Sequence, residues 1–338
     1  MELVDCDAIV TIHGFIFYVV GYEHPEDRVM CNLKYVPINY AKLFDLEWLD
    51  QTWYFKKRKL IRPKVLFSSK VYKSIIKTMR KHFSEYIYYS ANLRKYTISV
   101  PKYLIEEVYK PNESLKRILN KRDRDFLESK AIEFITELSR ESRVPIESFG
   151  ISGSIGLGMH RRFSDMDIIV YGSENYYRVL KALKSLESKG LLTLSRSSIL
   201  EKTRLNRGVY KGTKFNVNAV RSTSEISSIR YRYNPICTTK IICRVINDYE
   251  SIFRPAVYKV KVIRVFEGIE DILRSTEYVV SMIGIHRMIA RTGDIILVKG
   301  MLEEVIEEES GLKFNRVFVG SGFQDEYIAN LSRQIWII

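Results

Sequence analysis

Apolar residues in the middle of the chain recur with the spacing of a helix that is buried on one side. Between residues 125 and 140 they fall three or four positions apart, at Phe126, Leu127, Ala131, Phe134, Ile135 and Leu138. This spacing places them on one face, so the segment predicts an amphipathic helix. Pro145 ends that pattern, and the segment SFGIS, residues 148–152, predicts a short strand that ends at Gly153.

A second helix and two further strands follow. The apolar run Ile168 to Val170 predicts a buried strand, and residues 214–220 predict another because apolar and polar residues alternate there. Between them, Ser173 is predicted as the N-cap of a helix and Gly190 as its stop. The order helix, strand, turn, helix, strand, helix, strand predicts a small α/β domain with a mixed sheet at residues 113–223.

The flanking regions carry strand patterns. Near the start, residues 8–20 and 29–36 predict two strands of an N-terminal basic α+β domain at residues 1–112. The last region, residues 224–338, predicts an all-β domain resembling a small barrel. Its strand-like segments are residues 240–246, 256–265, 277–283, 295–306 and 316–320. The whole chain is therefore predicted to be an α+β protein of three domains.

Charge adds a class of partner to this picture. The chain has 54 Lys and Arg residues against 40 Asp and Glu, which gives a net charge of +14. Such an excess favours an anionic partner such as RNA or nucleotide, although a surface of the kind found in thermophiles would look similar. The segment from Trp53 to Lys64 mixes aromatic and basic residues. It predicts either nucleic-acid contact or a solvated basic strand beside core aromatics.

Cysteine usage and apolar run lengths exclude other classes. No apolar run approaches the length of a bilayer span, and the start of the chain is acidic, unlike a signal peptide. We therefore expect a cytoplasmic protein with no membrane partner. The four cysteines show no metal-binding spacing, so we expect free thiols. The oligomeric state is left open.

Two acids one residue apart, Asp165 and Asp167, directly precede the apolar run that starts at Ile168. Because alternate residues of a strand share a face, both carboxylates are predicted to point the same way. Neighbouring carboxylates repel unless one is protonated or a cation lies between them. Mg²⁺, or Mn²⁺ in its place, is a hard cation that prefers oxygen ligands. The pair is therefore a candidate metal site and a candidate catalytic site.

A glycine-serine turn precedes the acids and predicts a place for phosphate. Gly153 permits a tight turn, and Ser154 begins what reads as a short helix with free backbone N–H groups. Arg161 adds a positive charge nearby. Lys211 would reach a triphosphate from a later turn, with a solvated turn as the equal alternative. These four residues are the predicted nucleotide-binding set.

Gly153, Ser154, Asp165 and Asp167 together resemble the signature of the DNA polymerase β-type nucleotidyltransferase superfamily. In that signature a Gly-Ser pair is followed, after a spacer, by Asp-x-Asp at the start of an apolar strand. Residues 24–37 and 293–305 also resemble outer segments of a family of predicted archaeal nucleotidyltransferases. The resemblance implies a domain that uses a divalent metal to transfer a nucleoside monophosphate from a nucleoside triphosphate to an acceptor hydroxyl.

One feature of the superfamily is missing. Active members usually carry a third carboxylate on a later strand, and here Asn216 and Asn218 occupy the corresponding face of residues 214–220. We take Asn218 as the candidate third metal ligand, since an amide oxygen can bind a metal but cannot accept a proton. Two hypotheses follow: an active nucleotidyltransferase, possibly acting on RNA, or a weakened or inactive module of the same fold that binds RNA or nucleotide. Transfer to a small molecule or a protein side chain is a third, weaker idea.

Overall fold

The chain folds into two compact units. The computed structural model describes residues 3–66, 68–90, 95–320 and 326–336. The first unit consists of Met1–Tyr88, Tyr96–Ser195 and Leu205–Ser222. The second consists of Tyr89–Lys95, Arg196–Arg204 and Thr223–Ile338. The N-terminal region and the segment that carries the acid pair therefore belong to one unit.

The N-terminal region forms a mostly antiparallel sheet in the order β4-β5-β3-β2-β1-β8, with β7 paired to β3 and β6 to β7. Residues 8–20, predicted as one strand, form two, because the chain reverses at Gly14, whose φ of +84° favours glycine. Helix α1 spans Ser69–His82 and is capped at its start by Ser68, whose side chain accepts a hydrogen bond from the Val71 N–H. The strands are β1 Ala8–Thr11, β2 Ile16–Val19, β3 Arg28–Pro37, β4 Trp53–Phe55, β5 Arg58–Ile61, β6 Ile87–Ser90, β7 Lys95–Pro101 and β8 Ile105–Tyr109.

The central region has a five-stranded mixed sheet in the order β11-β12-β13-β10-β9, in which β10 and β13 are parallel. The predicted helix at residues 125–140 is observed as α3, where Asp125 and Glu128 form a capping box at its start. Helix α5 begins at Ser173, with Gly172 as its N-cap residue. The elements are α2 Pro111–Leu119, α3 Phe126–Ser142, β9 Phe149–Ile151, α4 Gly153–Gly156, β10 Met166–Tyr171, α5 Ser173–Ser188, β11 Leu192–Leu194, α6 Ile199–Arg204, β12 Arg207–Tyr210 and β13 Thr213–Val220.

The second unit is rich in strands, and each of the five segments predicted to be strands overlaps one. Strand β14 pairs with both β15 and β17, so β14, β15, β16, β18 and β17 form a closed cycle of paired strands. Apolar residues from all five fill the interior between them. The elements are β14 Tyr231–Asn247, β15 Ala256–Glu267, α7 Glu270–Arg274, β16 Tyr278–Ser281, β17 Ile295–Glu307, β18 Lys313–Val319 and β19 Tyr327–Asn330.

Two hydrophobic cores lie on the N-terminal sheet. One packs beneath α1 and contains Phe15, Phe17 and Met79. The other brings Tyr35 and Trp53 of the sheet together with Leu157 and Met159, which precede the acid pair in the chain. The second core therefore holds the N-terminal sheet against the loop that leads to the acids. The four cysteines are free thiols, of which Cys31 and Cys243 are buried and Cys6 and Cys237 are half-buried. No helix in the described ranges is long and apolar enough to cross a membrane.

Candidate functional site

The Asp167 carboxylate lies against the backbone of the glycine turn. Strands β9 and β10 are antiparallel neighbours, and the Ser152 N–H donates to the Asp167 carbonyl over 2.9 Å. Gly153, which follows, has a φ of +64°, and a Cβ there would lie 2.2 Å from Oδ2 of Asp167. Both the backbone angle and the contact exclude a side chain at this position. The glycine of the motif is therefore needed so that the carboxylate can approach the turn.

The two acids have few compensating contacts. Asp165 is exposed and, among the described residues, forms no hydrogen bond or ion pair. Asp167 is half-buried, while Met166 and Ile168 on either side of it point into the core. Burial raises the pKa of Asp167, the Asp165 charge raises it further, and the nearby Lys34 ammonium lowers it. A pair of this kind is electrostatically suited to a bound cation.

The strand register decides which asparagine lies beside the acids. In the parallel pairing of β10 with β13, Asp167 is opposite Asn216 and Ile169 is opposite Asn218. The Asn216 amide nitrogen lies 3.5 Å from Oδ1 of Asp167, and its oxygen accepts a hydrogen bond from Nε of Arg207 over 3.3 Å. Asn218, the predicted ligand, is buried two residue pairs further along. The neighbour of Asp167 is therefore Asn216, whose amide would have to turn over to offer its oxygen.

The other predicted nucleotide-binding residues are placed differently from one another. Ser154 is half-buried in the single turn of α4, next to Gly153. Arg161 donates from its guanidinium to the Thr52 carbonyl. Lys211, in the turn between β12 and β13, forms an ion pair with Glu133 of α3. The structure therefore brings Gly153 and Ser154 to the acid pair, whereas the two cations already have protein partners.

Sequence reasoning missed three cations around the acids. Lys34 of β3 and Arg62, just after β5, come from the N-terminal sheet, and Arg207 comes from β12. The Asp167 charge raises the pKa of Lys34, against the larger lowering by burial. Arg207 lowers the pKa of Asp167. In the sequence, Lys34 and Arg207 stand at ordinary polar positions of alternating strands, and only the packing of the two sheets brings them to the site.

The aromatic and basic segment from Trp53 to Lys64 contributes mainly to structure. Trp53 and Phe55 are buried in the core. Lys56 pairs with Glu107, and the Arg58 guanidinium binds Glu106 over 2.6 Å. This arrangement matches the alternative of a basic strand beside core aromatics. Arg62 is the member of the segment that lies close to Lys34 and Tyr35, two residues on which the charges of the acid pair also act.

A second group with metal-ligand chemistry consists of Asp125, Glu128 and His160, whose ligand atoms lie within 4.8 Å of one another. The two carboxylates already accept the N–H groups that start α3, and Glu128 also binds Nζ of Lys121 over 2.7 Å. Nε2 of His160 lies 2.7 Å from Asp125. Only 10% of the His160 side chain is exposed. We interpret the group as a helix cap.

Comparisons with known proteins extend over the whole chain. A family profile described as a nucleotidyltransferase domain matches residues 131–218, which include the glycine turn and both acids. An uncharacterized protein of Methanocaldococcus jannaschii is 30% identical over 358 aligned positions, covering 95% of this chain and 97% of that protein. No solved structure matches the chain significantly.

Proposed function

We propose a function from the premise that this chain belongs to the DNA polymerase β-type nucleotidyltransferase superfamily, in a family with an archaeal member. The proposal is that it transfers a nucleoside monophosphate from a nucleoside triphosphate to an acceptor hydroxyl, with the help of Mg²⁺ or Mn²⁺. The observation that carries it is the contact of the Asp167 carboxylate with the Gly153 turn. With the carboxylate at the turn, an anion bound to the turn would lie next to a cation held by the acids.

The donor set suits a divalent ion. Asp165 has no protein partner among the described residues, and Asp167 makes one long contact to a neutral amide. Two free carboxylates, together with the phosphates of a substrate, form the ligand set that Mg²⁺ prefers. Asn218, opposite Ile169, is a poorer third ligand than Asn216, so we now assign that role to Asn216.

The residues would divide the work as follows. Asp165 and Asp167 hold the ion, and Gly153 and Ser154 line the phosphate side of the site. When bound, the ion would lower the pKa of the acceptor hydroxyl and neutralise charge on the phosphates. The acceptor oxygen forms a bond to the α-phosphorus, and the bond from that phosphorus to pyrophosphate breaks. Since Asn216 cannot accept the acceptor's proton, the proton goes to an aspartate or to water.

Two variants at the acid pair test this proposal. The purified protein is incubated with each labelled nucleoside triphosphate, Mg²⁺ or Mn²⁺, and RNA or a hydroxyl-bearing small molecule. We expect label transfer that Asp165→Asn and Asp167→Asn each abolish. Asp123→Asn is the matched control, because Asp123 is exposed in the same unit and has no resolved partner among the described residues. Transfer that survives in the double variant would place the reaction elsewhere.

A second function is favoured by one observation, the neutral Asn216 beside Asp167. With no third acid, the domain would bind nucleotide or RNA without turning it over. Nucleotide binding that needs no metal, with no transfer to any acceptor, would support this alternative. RNA is the acceptor or ligand that the net charge of +14 favours. Binding of RNA that weakens steeply with salt would support that choice.

Arg161 and Lys211 are proposed to bind the phosphates of the substrate, on one condition. Each would bind phosphate only after it left its present partner, the Thr52 carbonyl for Arg161 and Glu133 for Lys211. Glu133→Gln would release Lys211, and we expect it to change nucleotide affinity only if Lys211 reaches the substrate.

A further inference from the structure

A β-bulge in the N-terminal sheet turns a lysine toward the acid pair. Where β2 and β3 pair, Ile16 is opposite Tyr35 and Phe17 is opposite Leu33, so Lys34 has no partner in β2. The extra residue changes which face the following side chains occupy. Leu33 belongs to the core beneath α1, while Tyr35 belongs to the core next to Leu157. Because of the bulge, the side chains of Lys34 and Tyr35 lie on the same side of the sheet.

The Lys34 ammonium is held by rings and by no direct counter-ion. Its Nζ lies 4.2 Å from the centre of the Tyr18 ring and 5.9 Å from that of Tyr35. Within the described ranges it forms no hydrogen bond or ion pair, although the charges of Asp167 and Asp165 both act on it. The Lys34 ammonium interacts electrostatically with both carboxylates but contacts neither. There is therefore space between the ammonium and the acid pair. A ligand with negative groups toward the lysine and a metal toward the acids would fill that space.

Two more polar groups of this wall lack partners. The Tyr18 hydroxyl is buried beside Ser152 and near Asp167, and no hydrogen bond of normal geometry reaches it. Nε of Arg62 is also buried and unpaired, and the Arg62 guanidinium lies 5.3 Å from the centre of the Trp53 ring. Buried polar groups are nearly always hydrogen-bonded in folded proteins, so unpaired donors grouped beside a site indicate a missing ligand. The Arg62 Nε–H can only donate and the Tyr18 hydroxyl is able to donate, so an anion would satisfy both groups.

We propose that the N-terminal sheet forms the second wall of the active site and that Lys34, aided by Arg62 and Tyr18, binds the polyphosphate of the substrate. The inference rests on the proposed function, since it takes the same acid pair as the metal side of the site. The N-terminal region is then part of the nucleotide site. Lys34 is a substrate-binding residue that acts opposite the Gly153 turn.

The test compares binding of three probes to the full-length protein: a nucleoside triphosphate, inorganic triphosphate and the nucleoside without phosphate, each with Mg²⁺. For Lys34→Met we expect triphosphate binding, with or without the nucleoside, to weaken about 10- to 100-fold, the usual size of one lost charge-assisted contact. Nucleoside binding should not change. Lys34→Arg should recover most of the affinity. Lys59→Met is the control, because Lys59 is an exposed lysine of the same sheet with no resolved partner among the described residues.

Thermal unfolding of each variant separates binding from folding. If Lys34 were only a counter-ion for the acids, Lys34→Met would lower the melting temperature, Asp167→Asn would restore it, and triphosphate affinity would stay unchanged; this would overturn the inference. Loss of RNA binding with triphosphate binding intact would also overturn it. If the wild-type protein binds none of the phosphate probes, the proposed function itself fails. If the wild-type protein binds the phosphate probes and Lys34→Met binds them equally well, the inference about Lys34 is wrong, but the proposed function is not affected.

Discussion

Two carboxylates, Glu303 buried in the second unit and Asp167 half-buried in the first, show how an electrostatic cost can be met in different ways. Glu303 of β17 is almost completely buried and sits opposite Arg316 of β18, with Oε2 and the guanidinium Nε 2.8 Å apart. Burial raises the pKa of Glu303 and Arg316 lowers it. Burial also raises the pKa of Asp167, but Lys34, the cation that lowers this pKa most, makes no direct contact with it.

The difference separates structural from functional charge. Arg316 is itself held between rings, with Cζ 4.0 Å from the centre of Tyr233. The pair in the second unit is therefore closed through Oε2 of Glu303, while Oε1 is buried without a hydrogen bond. At the acid pair, the compensating cations do not contact the carboxylates, so the carboxylate oxygens are free to bind a ligand. An acid whose partner is in contact with it stabilises the fold, whereas an acid whose partners stand apart is available for an external cation.

The largest expected effect is on transfer. Asp167→Asn keeps the shape of the side chain but removes a charge that the metal needs. We expect the transfer rate to fall about 1000-fold, or about 4 kcal/mol. The melting temperature should stay the same or rise, because the repulsion from Asp165 disappears. Transfer kinetics and thermal unfolding measured on the same preparation check both statements. A large loss of stability would instead assign Asp167 to the structural class of Glu303.

Asp7 sharpens the comparison, because it is a buried acid with no cation in contact. Its Oδ2 accepts one backbone N–H, from Val4, and its Oδ1 has no partner. Burial raises its pKa from 3.8 to about 7. Since the folded state holds this proton more tightly, the related stability is present below pH 4 and is lost as the pH rises through 7. Relative to Asp7→Asn, the wild-type free energy of unfolding should fall by up to about 4 kcal/mol from pH 4 to 8.

Chemical denaturation at several pH values measures that difference. Asp123→Asn, which changes an exposed aspartate, is the control and should follow the wild type. If the wild type and Asp7→Asn kept a constant difference across the range, Asp7 would not hold a proton in the folded state.

Breaking the closed pair should cost stability. Glu303→Gln leaves the Arg316 guanidinium buried, with 13% of its side chain exposed and no counter-charge in contact. We expect a loss of about 3 kcal/mol in the free energy of unfolding, and the double variant Glu303→Gln/Arg316→Met should recover much of it. Denaturation followed by a probe in the second unit measures this. A double variant that remained as unstable as the single one would argue against a closed pair.

The smallest expected effect concerns the third ligand. Asn216→Asp places a carboxylate next to Asp167, and we expect metal-dependent transfer to rise by about tenfold. Asn218→Asp should leave transfer unchanged, because it faces Ile169, and it should lower the melting temperature because the position is buried. Initial rates at varied Mg²⁺ concentration compare the two. A gain from Asn218→Asp alone would show that the strand register is not the one described.

The sequence by itself determined the local parts of the site. Helix α3 followed from its apolar spacing, and the turn at Gly153 and the strand that begins at Met166 followed from glycine and a run of apolar residues. These patterns act over a few residues, because backbone sterics and the burial of one face are local effects. The family resemblance rested on them and is confirmed by the domain profile and the archaeal relative.

Tertiary structure decided what surrounds the acids. The pairing that puts Asn216 beside Asp167 depends on how two distant strands align, and a shift of two residues would have chosen Asn218. The bulge at Lys34 and the burial of Trp53 depend on how two sheets pack together. The alternation within β3 places Lys34 at a polar position of the strand, but it does not predict which residues the lysine faces. Charges far apart in the chain become neighbours only through packing. The local patterns of a single sequence therefore do not predict how close those charges lie.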